Sequence, residues 1–267
     1  MLKRIFSKQN RVLLAELVRT DFKLRYQGSV LGYIWSLLRP LLIFLILYLV
    51  FVKFLKLGGT LPHYPVYLLF GMVLWNFFGE MTMQSLSSIV NRRDLIRKIR
   101  IPRWIIVLST SLSAVINLLL NLIIVAIFMF FNHVPLMASI VLLPFSLIEI
   151  YFFSLGVSLI LATMFVKFRD VSYIWEVSTQ ALFYLIPIFY PLSRISSLTL
   201  RKILLLNPLA QAMQDARYTT ITHQSQTIYE LFRGGWHEYI PYMICAIVLF
   251  AGIWYFRRQS RYFAEDI

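Results

Sequence analysis

Charge is scarce in this chain. Only 14% of its 267 residues are Asp, Glu, Lys or Arg, against roughly 25% in soluble domains. Hydrophobic residues make up 59% and the mean hydropathy is +0.72. No polar block is long enough to fold as a soluble domain, so composition alone describes an integral membrane protein. Acid is scarcer than base, 12 residues against 26, for a net charge of +14. The basic residues fall in short clusters between apolar runs, at the depth of lipid headgroups, which argues against nucleic acid as the partner. Cysteine occurs once, as Cys245 inside an apolar run. That excludes an intrachain disulfide and leaves the redox compartment unreadable.

Catalytic motifs are missing too. There is no GxxxxGK[ST] phosphate loop, so hydrolysis of a nucleotide by this chain is not expected. HExxH, CxxC and Gly-x-Ser-x-Gly are absent, and His63, His133, His223 and His237 lack ligand spacing. No cleavable signal peptide is visible, because the first long apolar run begins near Val30 and no small-residue cleavage site follows a short core. Neither an enzyme nor a metal site is expected.

What is present is hydrophobic length. Six stretches approach the roughly 20 apolar residues a spanning helix needs: 30–52, 64–89, 104–131, 139–166, 173–190 and 239–256. The first carries Arg39 and the fifth Pro187, which makes them the least clean. With both termini cytoplasmic, the inner pieces 1–39, 91–103, 167–172 and 257–267 carry 19 Lys or Arg over 69 residues. The outer pieces 53–65, 131–138 and 191–236 carry 7 over 67. The excess of Lys and Arg on cytoplasmic loops selects that orientation. The expected fold is therefore all-α: a polytopic membrane protein of six transmembrane helices, with an N-terminal interfacial helix and short outer helices between the fifth and sixth spans. Its expected layout is an interfacial segment 1–29, a membrane domain 30–256 with an outer gate segment 191–236, and a cytoplasmic tail 257–267.

In RVLLAELVRTDFKLRY, Leu14, Val18 and Phe22 recur every fourth residue beside Leu13, Leu17 and Leu24, with Arg11, Arg19, Lys23 and Arg25 largely off that stripe. This is a basic amphipathic helix lying in the headgroup plane, broken by Gly28 and Ser29 before the first span. It is either a passive anchor or a helix that also docks a cytoplasmic partner. Arg39 follows about 13 Å into the span. It either snorkels to the inner headgroups beside a kink at Pro40 or faces a water-filled channel.

The cytoplasmic loop NRRDLIRKIRIPRW puts Leu95, Ile96 and Ile99 on one helical face, with Arg92, Arg93, Lys98 and Arg100 around the others, and Pro102 ends it. Topology-setting charge and a helix built for a partner's groove both fit. The loop VKFRDVS is a tight turn carrying Lys167, Arg169 and Asp170. Span five places Phe183, Tyr184, Phe189 and Tyr190 around Pro187 and Pro191, and LRKILLLNPLAQAMQDARY reads as two short helical pieces split at Asn207-Pro208. These pieces dip into the outer leaflet or lie upon it, and the aromatic rows either form a headgroup belt or line a route for a sugar chain. Glu80, and Glu149 after an expected kink at Pro144, are costly inside spans. Each is either a hydrogen-bonded structural group or a proton or cation site.

Five blocks, DFKLRYQGSVLGYIWSLLRPL, LFGMVLWNFFGE, RDLIRKIRIPRW, FRDVSYIWEVSTQALFYLIPIFYP and LLLNPLAQAMQDARY, taken together and in order, resemble the membrane subunit of ABC exporters of polysaccharides and polyol phosphates. That class includes the permeases for O-antigen, wall teichoic acid and rhamnose-containing glycans. The resemblance implies a homodimer of permease subunits, two copies of a separate cytoplasmic ABC ATPase, and an undecaprenyl-linked polysaccharide as substrate. ATP and Mg then belong to the partner, and no cofactor to this chain. Carried over by position, it implies ATPase coupling through Glu16, Arg19, Asp21, Lys23 and Arg25, through Arg92, Arg93, Asp94, Leu95, Ile96, Arg97, Ile99 and Pro102, and through Arg169 and Asp170. It further implies a substrate channel at Tyr33, Trp35, Arg39, Tyr48, Phe183, Tyr184, Phe189 and Tyr190, and an outer gate at Asn207, Pro208, Asp215 and Arg217. A permease for a lipid or drug, an ion-coupled flippase using Glu80 and Glu149, and a membrane-embedded glycan-modifying enzyme are the competing readings.

Overall fold

The computed structural model describes residues 8–26, 32, 34–56, 61–98 and 102–263. Every element among them is helical: α1 (Lys8–Tyr26), α2 (Ile34–Leu47), α3 (Tyr64–Asn91), α4 (Arg93–Lys98), α5 (Trp104–Phe131), α6 (Leu143–Lys167), α7 (Val171–Leu185), α8 (Leu198–Leu205), α9 (Pro208–Thr220), α10 (Ile228–Phe232) and α11 (Ile240–Gln259). α2 runs on as a π-helical stretch, Tyr48–Phe54, and α6 is preceded by a 3-10 turn, Ala138–Leu142. Backbone groups in hydrocarbon must bond within their own segment, which is why apolar runs of this length become helices.

Five of these helices are long and apolar enough to cross a membrane: 34–54, 64–91, 104–131, 138–167 and 236–259. The predicted count of six is therefore not reached by length. The fifth predicted span forms α7, which has 15 residues and stops at Leu185. Pro187 lacks the N–H that would continue it, and Ile186 is already extended.

α3 is the centre of the bundle. It is the least hydrophobic of the five spans, yet 78% of its apolar window is buried, while the much more hydrophobic α2 is only 6% buried. In lipid the hydrophobic effect does not choose the core, so small and hydrogen-bonding residues mark the packed faces instead. Ser85 of α3 pairs with Thr110 of α5 at 3.0 Å, and Ser158 of α6 donates to the Met81 carbonyl of α3 at 3.3 Å. α6 and α11 cross at Gly156 and Gly252, close enough that a Cβ at Gly252 would lie 2.5 Å from the Gly156 carbonyl oxygen.

α1 packs on α5. Leu13, Leu14, Leu17 and Val18 turn inward, while Arg11, Glu16, Arg19 and Lys23 are exposed, as the predicted stripe requires. The expected break at Gly28 and Ser29 lies outside the described residues. Pro144 sits where the 3-10 turn Ala138–Leu142 passes into α6, in the first turn of that helix, where its missing N–H costs nothing. The two pieces split at Asn207-Pro208 are α8 and α9. α9 is buried along most of its length against α6, α3 and α11.

Candidate functional site: a groove along the central helix

A cavity of about 770 Å³ opens between α2 and α3. Trp35, Ser36, Arg39, Pro40 and Ile43 line it from α2; Trp75, Asn76, Gly79, Glu80, Met83 and Gln84 line it from α3; Asn117 closes it from α5. A second cavity of about 380 Å³ shares Ile43, Trp75, Asn76 and Gly79 and adds Thr179, Gln180, Phe183 and Tyr184 of α7. The shared walls make one groove along α3. Gly79 contributes to both parts, and a Cβ there would meet open space, so the groove floor has room at this position.

The chemistry of the groove differs along its length. Glu80 accepts from Asn117 Nδ2 at 2.6 Å and from Gln84 Nε2 at 2.9 Å, which holds a carboxylate beside the cavity that Arg39 also lines. Further along, aromatic rings follow one another. Trp175 meets Phe78 edge-on at 6.1 Å, and Phe78 meets Trp75 at 5.6 Å. Trp75 meets Phe183 at 5.8 Å, and Phe183 meets Phe189 at 5.8 Å. Phe189 stacks on Phe51 at 4.6 Å and meets Tyr190 at 5.1 Å. Phe78 and Trp75 are buried; Tyr184, 66% exposed, is the ring that projects from the row.

At the far end, the backbone left open by Pro187 is taken up by one side chain. Arg217 of α9 is fully buried and donates to the carbonyls of Pro187 at 2.6 Å and Ile188 at 2.5 Å. It also donates to Gln214 Oε1 at 3.2 Å, and its guanidinium lies 3.7 Å from the Tyr67 ring centroid. The Tyr64 hydroxyl reaches the next carbonyl, that of Phe189. Asn207 caps α9 by accepting from the Leu209 N–H at 2.9 Å, with Pro208 in the first turn. Asp215 accepts from Gln211 Nε2 at 2.6 Å.

At the opposite end, Arg92 forms an ion pair with Asp21 of α1 and donates to Ser109 of α5 at 3.0 Å. The pair is mostly buried, with side-chain exposures of 16% and 22%. It joins α1 to the start of the loop after α3.

Residues 12–221 match the family described as ABC-2 type transporter. The chain belongs to the ABC-2 type transporter family. It is 32% identical over 207 residues to the O-antigen export system permease protein RfbA of Myxococcus xanthus, covering 77% of this chain and 78% of that protein. It is 29% identical over 258 residues to a Klebsiella pneumoniae protein of the same name, covering 95% and 94%. The resemblance drawn from the sequence blocks thus holds, and this ABC-2 chain is a multi-pass transport permease.

Of the channel residues predicted for the ABC-2 chain, Trp35, Arg39, Phe183 and Tyr184 line the groove. Phe189 and Tyr190 continue its aromatic row. Tyr48 does not join them: it packs against Phe44 at 5.9 Å, outside the groove lining. Tyr33 lies outside the described residues. Of the coupling residues, Asp21 and Arg92 are committed to each other. Glu16, Arg19, Lys23, Arg93, Asp94, Arg169 and Asp170 are exposed. Leu95 and Ile96 are half-buried, and Ile96 packs on the Ile89 and Ile106 cluster. The side chains of Arg25 and Arg97 and all of Ile99 lie outside the described residues, and Pro102 precedes α5. Sequence reasoning missed Asn76, Gln84 and Asn117 as groove residues. The signal was available in α3, where Asn76, Glu80 and Gln84 recur every fourth residue on one face of the helix.

Proposed function

We propose that this chain is the membrane permease of an ATP-driven exporter that moves a lipid-linked polysaccharide across the plasma membrane. Two relatives aligned over most of their length are named as O-antigen export permeases. The observation that carries the reading is the groove itself: a cation and a carboxylate at one end, aromatic faces along the rest. An undecaprenyl diphosphate headgroup would meet Arg39 and Trp35, and the apolar CH faces of sugar rings would slide over Phe183, Tyr184, Phe189 and Tyr190, with the two tyrosine hydroxyls offering hydrogen bonds to sugar oxygens. α2 and the outward faces of α7 are bare in one chain, so a second copy would close the groove, and the working unit is a homodimer.

In this reading both termini are cytoplasmic, 1–29 is interfacial, 30–256 is the membrane domain with its outer gate segment 191–236, and 257–267 is the tail. Two copies of a separate ABC ATPase bind ATP and Mg and press on the exposed Glu16, Arg19, Lys23, Arg93, Asp94, Arg169 and Asp170. Leu95, Ile96, Arg97, Ile99 and Pro102 shape the same docking loop, and Arg25 continues the helix. The Asp21–Arg92 pair then carries the push from α1 into α3, whose far end holds the row and the α9 gate.

Replacing Arg39 by leucine should lower export about tenfold or more, the worth of a charge-assisted hydrogen bond or two, while leaving membrane assembly and ATPase binding intact. Co-expression with the companion ATPase and quantitation of surface glycan measures it; wild-type export by the mutant would remove Arg39 from the site. An Arg92→Ala chain should still assemble, with stability lowered by about 1–3 kcal/mol because Asp21 is left partly buried without its partner. Its ATPase should turn over with little glycan moved. The Asp21→Ala, Arg92→Ala double variant should lose less stability than the two single changes added together. Export into sealed vesicles supplied with ATP and no ion gradient separates this reading from an ion-coupled flippase.

A further inference from the structure

Away from the groove, two acidic groups are gathered with no base beside them. Glu149 of α6 and Asp215 of α9 lie on either side of Gln211, which is fully buried. Gln211 Nε2 donates to Asp215 Oδ2 at 2.6 Å and to the Tyr242 hydroxyl of α11 at 3.0 Å. Tyr242 is paired in turn with the Tyr229 hydroxyl of α10 at 3.1 Å. Three buried acceptor oxygens, Glu149 Oε1, Gln211 Oε1 and Asp215 Oδ1, have no donor. Glu149 itself is only 9% exposed.

The surroundings supply no positive charge. The titratable groups facing the pair are Tyr229, Tyr242, Cys245 and, on the Tyr229 side, Glu238. Cys245 turns its thiol to the Glu149 backbone carbonyl at 3.6 Å. Arg217, two residues beyond Asp215, is engaged with the Pro187 and Ile188 carbonyls. Two carboxylates that share a buried site cannot both stay ionised without a cation, and orphaned buried acceptors each cost about 1–3 kcal/mol.

We propose that Glu149 and Asp215 form a proton-binding site that shares one proton at neutral pH and, while it is held, fastens the gate helix α9 to α6 and α11. A proton turns one carboxyl oxygen from acceptor to donor, which is what three orphaned acceptors need. A hard cation would require oxygen ligands only, whereas the amide N–H of Gln211 already points at Asp215. Glu149 lies about 9 Å along α6 from Leu143, at the end away from the 168–170 turn. In the proposed orientation the site therefore senses the outer compartment.

Burial pushes the Asp215 carboxyl up to about 6, against the pull of its hydrogen bonds from Gln211 and Tyr242. The pair releases its protons in two steps that belong to both groups. A carboxyl whose folded value lies above its unfolded value stabilises the fold at low pH. That stabilisation is complete below about 4 and is lost as pH rises through the folded value. Fastening is thus strongest in acid and weakens towards alkaline pH.

Infrared spectroscopy of the purified full-length chain in lipid nanodiscs tests this, because a protonated carboxyl has a C=O band that a carboxylate lacks. The expected result is such a band at neutral pH, its loss on alkalinisation, and its loss in Glu149→Gln and in Asp215→Asn. The thermal midpoint of the wild type should fall as pH rises from about 4 through neutral and beyond, and Glu149→Gln, which imitates the neutral acid, should be flat above neutral. A wild type with no protonated-carboxyl band at neutral pH overturns the proposal whatever the variants do. So does a band that both amide variants retain, or a midpoint that follows sodium at fixed pH instead of the proton. Failure of both amide variants to fold overturns it too, since the amide reproduces the neutral carboxyl in shape and charge.

Discussion

An Arg217→Met chain is expected to lose about 3–5 kcal/mol of stability and to accumulate poorly in the membrane. The guanidinium is fully buried and satisfies the carbonyls of Pro187 and Ile188 together with Gln214. Those two carbonyls exist as orphans because proline ends α7 before the backbone can bond to itself, and in an apolar environment each costs about 1–3 kcal/mol when its donor is removed. Methionine fills the volume and supplies no donor. Lysine at the same place should rescue only part of the loss, because a point charge cannot serve a fork of acceptors and stack on Tyr67 as a planar guanidinium does. Gly71→Ala should reproduce the defect, since its Cβ would strike the Arg217 guanidinium, with Cζ at 2.7 Å. Size-exclusion of the solubilised chains and their thermal midpoints read all three. Full stability of Arg217→Met would mean that the break after α7 finds its donors elsewhere.

Gly252→Leu is the second large expectation. The α6 and α11 backbones touch at this point: a Cβ on Gly252 would lie 2.5 Å from the Gly156 carbonyl oxygen, and one on Gly156 would lie 2.8 Å from the Leu249 backbone. Backbone cannot swing aside as a side chain can, so the helices must separate. Overpacking typically costs about 1–3 kcal/mol, and here it acts on the most extensive helix pair in the bundle. The chain carries its own reporter of that separation. Cys245 is its single cysteine, buried on α11 against α6. In the wild type a membrane-permeant maleimide should label it slowly, and in Gly252→Leu at least several times faster. Equal labelling rates would show that the two helices do not depend on this crossing. Gly156→Leu should behave alike, because the same contact fails from the other side.

How much of this was legible beforehand varies by residue. The inward face of α1 could be read from Leu13, Leu14, Leu17 and Val18, because an amphipathic helix states its buried side in its own periodicity. Asn207-Pro208 could be read as a helix start, because capping chemistry is local. The end of α7 was the harder case. Pro187 was noted, but apolar residues continue to Tyr190, and only the extended backbone from Ile186 shows that the helix gives way short of a full span. Pro144 marks the junction of a 3-10 turn with α6 inside the span 138–167, where proline fits the first helical turn. Asp21 and Arg92 were both picked out as partner-binding residues, and nothing within one sequence could show that they bind each other across 71 positions.

By itself the sequence determined that the chain is helical and membrane-embedded, because hydrophobic length, charge placement and turn chemistry are local properties. Tertiary structure decided which helix is the core, that α9 is inserted among the spans, that Arg217 closes the broken backbone, and that Glu149 and Asp215 are both brought to Gln211. In a bilayer every span is apolar enough to face lipid, so hydropathy cannot rank them. Close approach and hydrogen bonding between helices do the ranking, and these come into being only when the helices pack.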